Sequence, residues 1–521
     1  MPDASGAKFP EAAPDRVPFR GIITICAMIA TLMQALDATV ANVALPYMQG
    51  SLAATSDEIT WVLTSYIIAA AIMTAPVGWF ASRFGRKNLF ILCVAGFTFA
   101  SMLCGAAESL PQMVVFRVLQ GMFGAALVPL SQATILDIYP VERRGSAMAL
   151  WGVGVMIGPI LGPTLGGYLT ALYNWRWVFY VNLPFGLLCL VGLMLCLPKS
   201  PVRSHLRFDW TGFGVLAIGL GALQMMLDRG QLMDWFSSRE IIVETVLAGL
   251  GMYLFVVHLF TARRPFISPA IFRDRNLFAS LLMMFTTGTI LVASSALMAP
   301  YLQNLANYPV DTTGLVLAPR GIGTMASMML SGRLANRIDP RKLMFIGVVL
   351  LLASMYEMTS WTPDISIGEQ VITIIVQGAG LGFIFTPLQV VAFATLPAMM
   401  RTDGAAMLSL FRNVGAAIGV SLTYTLLERS TQISHEQLGH FVNPFNRALQ
   451  SGAVHQMLNP ATPRGAALLD QMINQQAQII GYVNDFKFMM LITIPALFLL
   501  LLMRRPQRIA TRSDEPAAVM E

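Results

Sequence analysis

Fourteen stretches of this chain are apolar for long enough to cross a lipid bilayer: 22–44, 59–81, 88–107, 111–135, 146–170, 177–197, 210–227, 240–261, 276–300, 312–332, 342–360, 368–394, 405–427 and 486–503. A spanning helix needs about 20 mostly apolar residues, and only helices or closed barrels satisfy their own backbone in lipid. The expected fold is therefore an all-α membrane protein, with both termini on one side because the number of spans is even. Charged residues make up 12% of the chain, against about 25% in soluble domains. The formal charge of +6 does not point to nucleic acid, because of where the charges lie. With the N-terminus inside, the inner connections and tails hold 24 of the 34 Lys and Arg, Lys342 at the inner edge of its span included, and the outer connections hold 6. Arg117, Arg320, Arg412 and Lys487 fall within spans. The positive-inside rule then puts both termini in the cytoplasm. Cys26, Cys93, Cys104, Cys189 and Cys196 sit in apolar runs without metal spacing and read as small core residues. Residues 1–20 are polar and Pro-rich with no signal-peptide cleavage pattern, so the first span is expected to stay in the mature protein.

The two halves echo each other. GWFASRFGRKNL (78–89) follows the second span and GRLANRIDPRKL (332–343) follows the tenth. QGMFGAALVPLSQ (120–132) in span 4 is matched by QGAGLGFIFTPLQ (377–389) in span 12, with one residue inserted, and GSAMAL (145–150) by GAAML (404–408). The economical organisation is an N-terminal tail (1–20), a six-helix bundle (21–197), two additional helices with their linkers (198–275), a second six-helix bundle (276–503) and a C-terminal tail (504–521). The second bundle includes one long outer segment, 428–485.

Span 5 contains GVGVMIGPILGPTLGG (152–167). Gly154, Gly158, Gly162 and Gly166 recur every four residues and line one helix face, with Gly167 beside the last. Such a face lets another backbone approach closely. Pro159 and Pro163 each remove a backbone hydrogen bond, which can bend the helix. Tight packing alone would account for an isolated small-residue repeat, whereas four glycines with two interleaved prolines resemble the antiporter motif of major facilitator drug exporters. LDATVANVALP (36–46), RVLQG (117–121) and WRWVFYVNLPFG (175–186) extend the resemblance over nearly the whole chain. The chain is similar to the fourteen-span drug:proton antiporters of the major facilitator superfamily, and most to their EmrB-type (EmrB/QacA-like) branch. The resemblance implies two six-helix bundles plus two extra helices, residence in the bacterial inner membrane, and proton-coupled multidrug efflux by alternating access, a drug-resistance function. It implies no cofactor beyond the proton gradient.

Asp37 is expected to be the only carboxylate deep in a span. Burial disfavours its charged form, so such a group can load and release a proton, and an intramembrane acid is functional by default. A structural hydrogen bond to a neighbouring helix is the competing reading. Arg117 is the expected counter-charge: span 1 runs outward, span 4 inward, and both residues sit about 9–10 Å from the outer end at 1.5 Å per residue. A static ion pair is again the alternative. In the resembling family this Asp and this Arg are implicated in proton coupling. Arg320 and Arg412 add intramembrane charge in the second half, so the interior is net positive, which suits a lipophilic anion better than a quaternary cation. Arg can also snorkel or bind helix carbonyls.

The inner loop with Gly78, Arg83, Gly85, Arg86 and Lys87 resembles the superfamily's gating loop between spans 2 and 3, although its charges also serve as topology anchors. Here Ser82 replaces the usual Asp of that loop, which leaves a carboxylate-based latch at that position in doubt, and Asp339 in the second copy is displaced. Spans 7 and 8 are expected to be peripheral, with Glu244 and His258 near their ends, where water reaches. The outer segment 428–485 has helix potential around 464–484, and VNPFN (442–446) matches a stretch of EmrB-type exporters. Docking of a periplasmic adaptor protein, itself joined to an outer-membrane channel, and a simple lid are both compatible with it. His435-Glu436 is no metalloprotease motif, since Gly439 stands where the second His is required. With no nucleophile–base pair, no metal cluster and no GxxxxGK[ST] loop, an enzyme or an ATP-driven pump lacks support. The expected partners are hydrophobic substrates, protons and lipid. A symporter or uniporter on the same fold, or a membrane sensor, is the remaining alternative.

Overall fold

A computed structural model describes residues 19–140, 143–199, 202, 207–263, 265–335, 337–442, 446, 449, 458–459 and 461–504. Among these residues the regular structure is helical, and each of the fourteen apolar segments falls on helix. In chain order they are α1 (Arg20–Ser51), α2 (Trp61–Thr74 and Val77–Phe84), α3 (Arg86–Ala106), α4 (Leu110–Ile138), α5 (Arg144–Leu172), α6 (Trp177–Cys196) and α7 (Trp210–Arg229). The second series is α8 (Arg239–Thr261), α9 (Arg275–Leu305), α10 (Val310–Leu317 and Pro319–Leu334), α11 (Pro340–Met358), α12 (Ile367–Ala394), α13 (Arg401–Gly439) and α14 (Pro463–Leu502). Ten of these are long and apolar enough to cross a membrane, eleven with the bent pair of α2. With 29 residues in α5 and 19 in α11, about 43 and 28 Å of helix, fourteen crossings are compatible with the structure.

Proline sets the breaks. The two pieces of α2 meet at 58°, with Pro76 at the break. The missing N–H of Pro129 leaves the Ala125 carbonyl without its helical partner, where α4 is interrupted, and α10 breaks immediately before Pro319. The α5 backbone stays helical through Pro159 and Pro163, whose side chains lie outside the described residues.

The two ends of the molecule differ. The start of α1, the α2–α3 turn, the end of α4, the start of α13 and the end of α14 gather at one end, here the terminal end. There Thr24 meets the Tyr139 hydroxyl at 3.0 Å, Arg401 meets Asp137 at 2.9 Å, and Arg341 donates to the Met503 carbonyl at 3.2 Å. At the opposite, distal end, α13 and α14 contain 39 and 40 residues. At about 58–60 Å they are twice the thickness of a hydrocarbon core. Much of segment 428–485 is therefore not loop: α13 continues to Gly439 and α14 starts at Pro463, which includes the helix expected around 464–484. His435 and Asp470 link the two extensions at 3.1 Å. Of VNPFN, residues 443–445 lie outside the described residues.

The internal repeat is visible in the packing. On α5, Gly158 accepts a bond from Thr39 of α1 at 3.4 Å; on α13, Gly415 accepts one from Thr289 of α9 at 2.9 Å. One turn on, a Cβ added at Gly162 would run into Thr39, and one at Gly419 would stand 2.8 Å from the Thr289 side chain. Helices α7 and α8 cross at glycine, where a Cβ on Gly251 would be 2.6 Å from the Gly219 Cα. The pair leans on both halves, through Asp228 with Thr64 of α2, and Gln231 with Thr425 of α13 at 3.3 Å.

Candidate functional site: a buried ion pair beneath a glycine clasp

Asp37 faces away from the α5 stripe and toward α4. Its Oδ2 accepts from Arg117 Nη1 at 2.6 Å and its Oδ1 from Gln120 Nε2 at 2.7 Å. The same Nη1 donates to Gln120 Oε1 at 2.8 Å, and Arg117 Nε donates to the Val62 carbonyl at 2.9 Å. The guanidinium lies 4.5 Å from the Tyr66 ring centroid and 5.5 Å from that of Phe179. Asp37 is 2% and Arg117 1% exposed. A charge pair this deep recovers its desolvation cost only with good geometry and satisfied remaining lone pairs, and Gln120 supplies both. Gln120 opens the repeated segment of span 4 and lies within an apolar run, but only the fold shows it bonded to the acid.

The glycine stripe makes this arrangement possible. A Cβ at Gly158 would be 2.5 Å from Ala35 Cβ and 3.0 Å from the Ala35 carbonyl carbon, and one at Gly154 or Gly166 would be 2.9 Å from Met28 or Val40. With α1 drawn onto α5 along that face, Asp37 is left on the other. Gly167 is looser, with Val43 at 4.0 Å.

The residues of the α2–α3 turn separate into distinct structural roles. Gly85 adopts φ 83°, a backbone region that favours glycine, and lets the chain turn from α2 into α3. Lys87 donates to the Met194 and Leu197 carbonyls at 2.9 and 2.5 Å, capping α6 where a cation suits the helix dipole. Arg83 makes no ion pair among the described residues. Arg86 bonds to Asp137 at the end of α4, and the other oxygen of Asp137 accepts from Arg401 of α13 at 2.9 Å. The carboxylate joining the halves is thus Asp137, where Ser82 offers none; Asp339 caps α11 and pairs with Arg341 at 2.9 Å. Gly78 is covered by Asp403, which a Cβ would overlap. Nearby, Gly332 of α10 approaches the Gly145 carbonyl of α5, and Trp151 stacks on Phe385 of α12 at 6.2 Å. Asp137, Arg401 and Asp403 sit at span ends, where charged residues are common and hydropathy does not single them out.

In the second half, Arg320 donates to Ser295 Oγ at 2.5 Å, Ser294 Oγ at 2.8 Å and the Leu291 carbonyl at 3.2 Å. Arg412 reaches Asn413 Oδ1 at 3.5 Å. Neither guanidinium has a carboxylate partner among the described residues.

Two expectations need correction. Asp37 is not the only acid deep in a span: Asp485 is 0% exposed. The apolar run in the sequence begins at 486, which leaves Asp485 just outside, whereas α14 is continuous through it. Glu244, expected near water, is 6% exposed, and its carboxyl oxygens have no hydrogen-bond partner among the described residues. His258 does stay partly open, 2.8 Å from Asp209.

A sequence profile described as Major Facilitator Superfamily matches residues 27–420. Multidrug export protein EmrB of Escherichia coli is 34% identical over 432 residues, covering 82% of this chain and 84% of that protein. Fatty acid resistance protein FarB of Neisseria gonorrhoeae is 31% identical over 484 residues, covering 92% of this chain and 95% of that protein. The crystal structure of the human organic anion transporter MFSD10 (TETRAN) superposes with a TM-score of 0.59 at 14% identity, covering 93% of this chain and all of that one. That likeness concerns the fold.

Proposed function

The chain belongs to the major facilitator superfamily, and from that premise we propose that it is a proton-coupled exporter of hydrophobic and amphipathic compounds, with Asp37 as the proton carrier. The carrying observation is the sealed Asp37–Arg117–Gln120 cluster. When a proton binds Asp37, the ion pair is lost and Arg117 keeps only its bonds to Gln120 and the Val62 carbonyl. The cluster therefore has two arrangements, and rocking of the halves exposes it to one side or the other. The positive-inside rule assigns the terminal end to the cytoplasm, so that the contacts across Asp137, Arg401, Gly78 and Asp403 close the inner side. Inward movement of protons then drives substrate outward.

Arg320 and Arg412 have no carboxylate partner among the described residues, which favours acidic amphiphiles among the substrates. The name of one relative, a fatty acid resistance protein, agrees with that class, and that of another, a multidrug export protein, agrees with export. The energy source is the proton gradient without a cofactor, in a bacterial inner membrane. The helical extensions of α13 and α14 form the surface on which a periplasmic adaptor, joined to an outer-membrane channel, would dock.

The test is substrate-induced proton movement in proteoliposomes, with lipophilic anions and cations in parallel. Proton release triggered by an anion and absent in Asp37→Asn supports the reading; a wild type that moves no protons with any compound removes it.

The inner closure gives a second expectation. Asp137→Asn removes the charge shared by Arg86 and Arg401, at a cost of about 1 kcal/mol for a partly exposed pair, or roughly a fivefold shift toward the state open at the terminal end. A single cysteine at Ala149, in a background without the native cysteines, should react with maleimide about that much faster. An unchanged labelling rate would show that the closure does not depend on Asp137.

A further inference from the structure

The second half carries no acid where the first has Asp37: the matching clasps, Thr39 on Gly158 and Thr289 on Gly415, make Thr287 the counterpart of Asp37. Its buried acid comes from a different helix. Asp485 on α14 is 0% exposed, and both of its carboxyl oxygens are without a hydrogen-bond partner among the described residues. It forms no ion pair among them, and the cation nearest in sequence, Lys487, is exposed two residues on, a spacing that puts it on another face of the helix.

The titratable groups around Asp485 are phenols. Tyr482 lies one turn earlier on α14 and is set against Tyr301 of α9, with ring centroids 5.3 Å apart, and against Tyr424 of α13. The next residue, Phe486, packs on Trp361, which follows α11, at 6.1 Å. The charged residues at this level of the neighbouring helices, Glu428 and Arg429 of α13 and Glu357 of α11, are exposed. Among the described residues a carboxylate here has neither a counter-charge nor a hydrogen bond, and its desolvation cost is far larger than that of the neutral acid. An acid without partners is also a poor packing residue, so structure alone gives no reason for its presence.

Depth supplies the second argument. Asp485 lies seventeen residues before Leu502 and Asp37 seventeen residues after Arg20, so each is about 25 Å along its helix from the terminal end. One acid is ion-paired and the other unpaired, at the same level of the two bundles.

We propose that Asp485 is a second proton-binding site, which holds a proton in this conformation and exchanges it during the transport cycle. The proposal rests on the exporter reading for the cycle, and on the unpaired carboxyl alone for the bound proton.

Purified wild type, Asp37→Asn and Asp485→Asn are compared in two measurements. Infrared difference spectra at neutral pH should contain a protonated-carboxyl C=O band that persists in Asp37→Asn and is lost in Asp485→Asn. A pH indicator should report half as many protons released per substrate bound for Asp485→Asn as for wild type, with Asp485→Glu restoring the number. An unchanged band overturns the site, and an unchanged proton number overturns its part in the cycle. If wild type releases no protons with any substrate, the exporter reading fails while the infrared band still decides whether Asp485 holds a proton. Asn matches the neutral acid in shape, and thermal unfolding of each variant identifies any that fails to fold.

Discussion

Asp37→Asn is expected to reduce proton-driven export to background, a loss of at least about a hundredfold, while substrate-for-substrate exchange persists. The amide matches the carboxylate in size and can still bond to Gln120, but it takes up no proton at the working pH. It also leaves Arg117 buried without a counter-charge, held by the Val62 carbonyl and the Gln120 amide oxygen at 2.9 and 2.8 Å and by the Tyr66 and Phe179 rings. Breaking one side of a buried pair costs about 3–5 kcal/mol, so a lower unfolding temperature is expected as well. The double variant Asp37→Asn/Arg117→Gln removes the unmatched charge and separates the two effects. It should recover stability but not coupling. A double variant that regains proton-driven export would make Asp37 a structural residue and send the search for the coupling site elsewhere.

Gly158→Val is expected to be the most damaging single change in the stripe. The first added atom would stand 2.5 Å from Ala35 Cβ, 3.0 Å from the Ala35 carbonyl carbon and 3.1 Å from Leu36 N. Two of those three are backbone, so no rotamer relieves the contact and α1 itself must move. Overpacking of this kind costs about 1–3 kcal/mol. Because Asp37 is on the same rigid helix, the displacement also pulls it from Arg117, where a bond at 2.6 Å has little slack. Export should fall at least about tenfold, with a lower unfolding temperature in detergent. Gly167→Ala, in the same stripe, meets only Val43 at 4.0 Å and should keep wild-type export. Equal tolerance of both substitutions would show that close approach of α1 and α5 is not what the stripe provides.

The all-helical fold, the positions of the helices and the candidate acid were legible in the sequence, because lipid imposes a one-dimensional rule. Each crossing must be apolar for about 20 residues, and any charge that violates this stands out. That is how Asp37, Arg117, Arg320 and Arg412 were singled out, and how the glycine stripe showed a face for close packing. The same rule misplaced Asp485 and Glu244, since hydropathy gives where an apolar run stops and not where the helix does, and α14 continues well beyond its apolar part. The partners were decided by the tertiary structure. That Gln120 completes the Asp37 pair, that Asp137 joins Arg86 to Arg401, and that Thr289 and Gly415 repeat the Thr39 clasp depend on which helix faces come together. Those contacts join residues far apart in the chain: Asp37 and Arg117 are separated by 80 positions, and Asp137 and Arg401 by 264. Helical periodicity places a residue on a face. It carries no information about which of the other helices that face will meet, because that is settled by the packing of all of them at once.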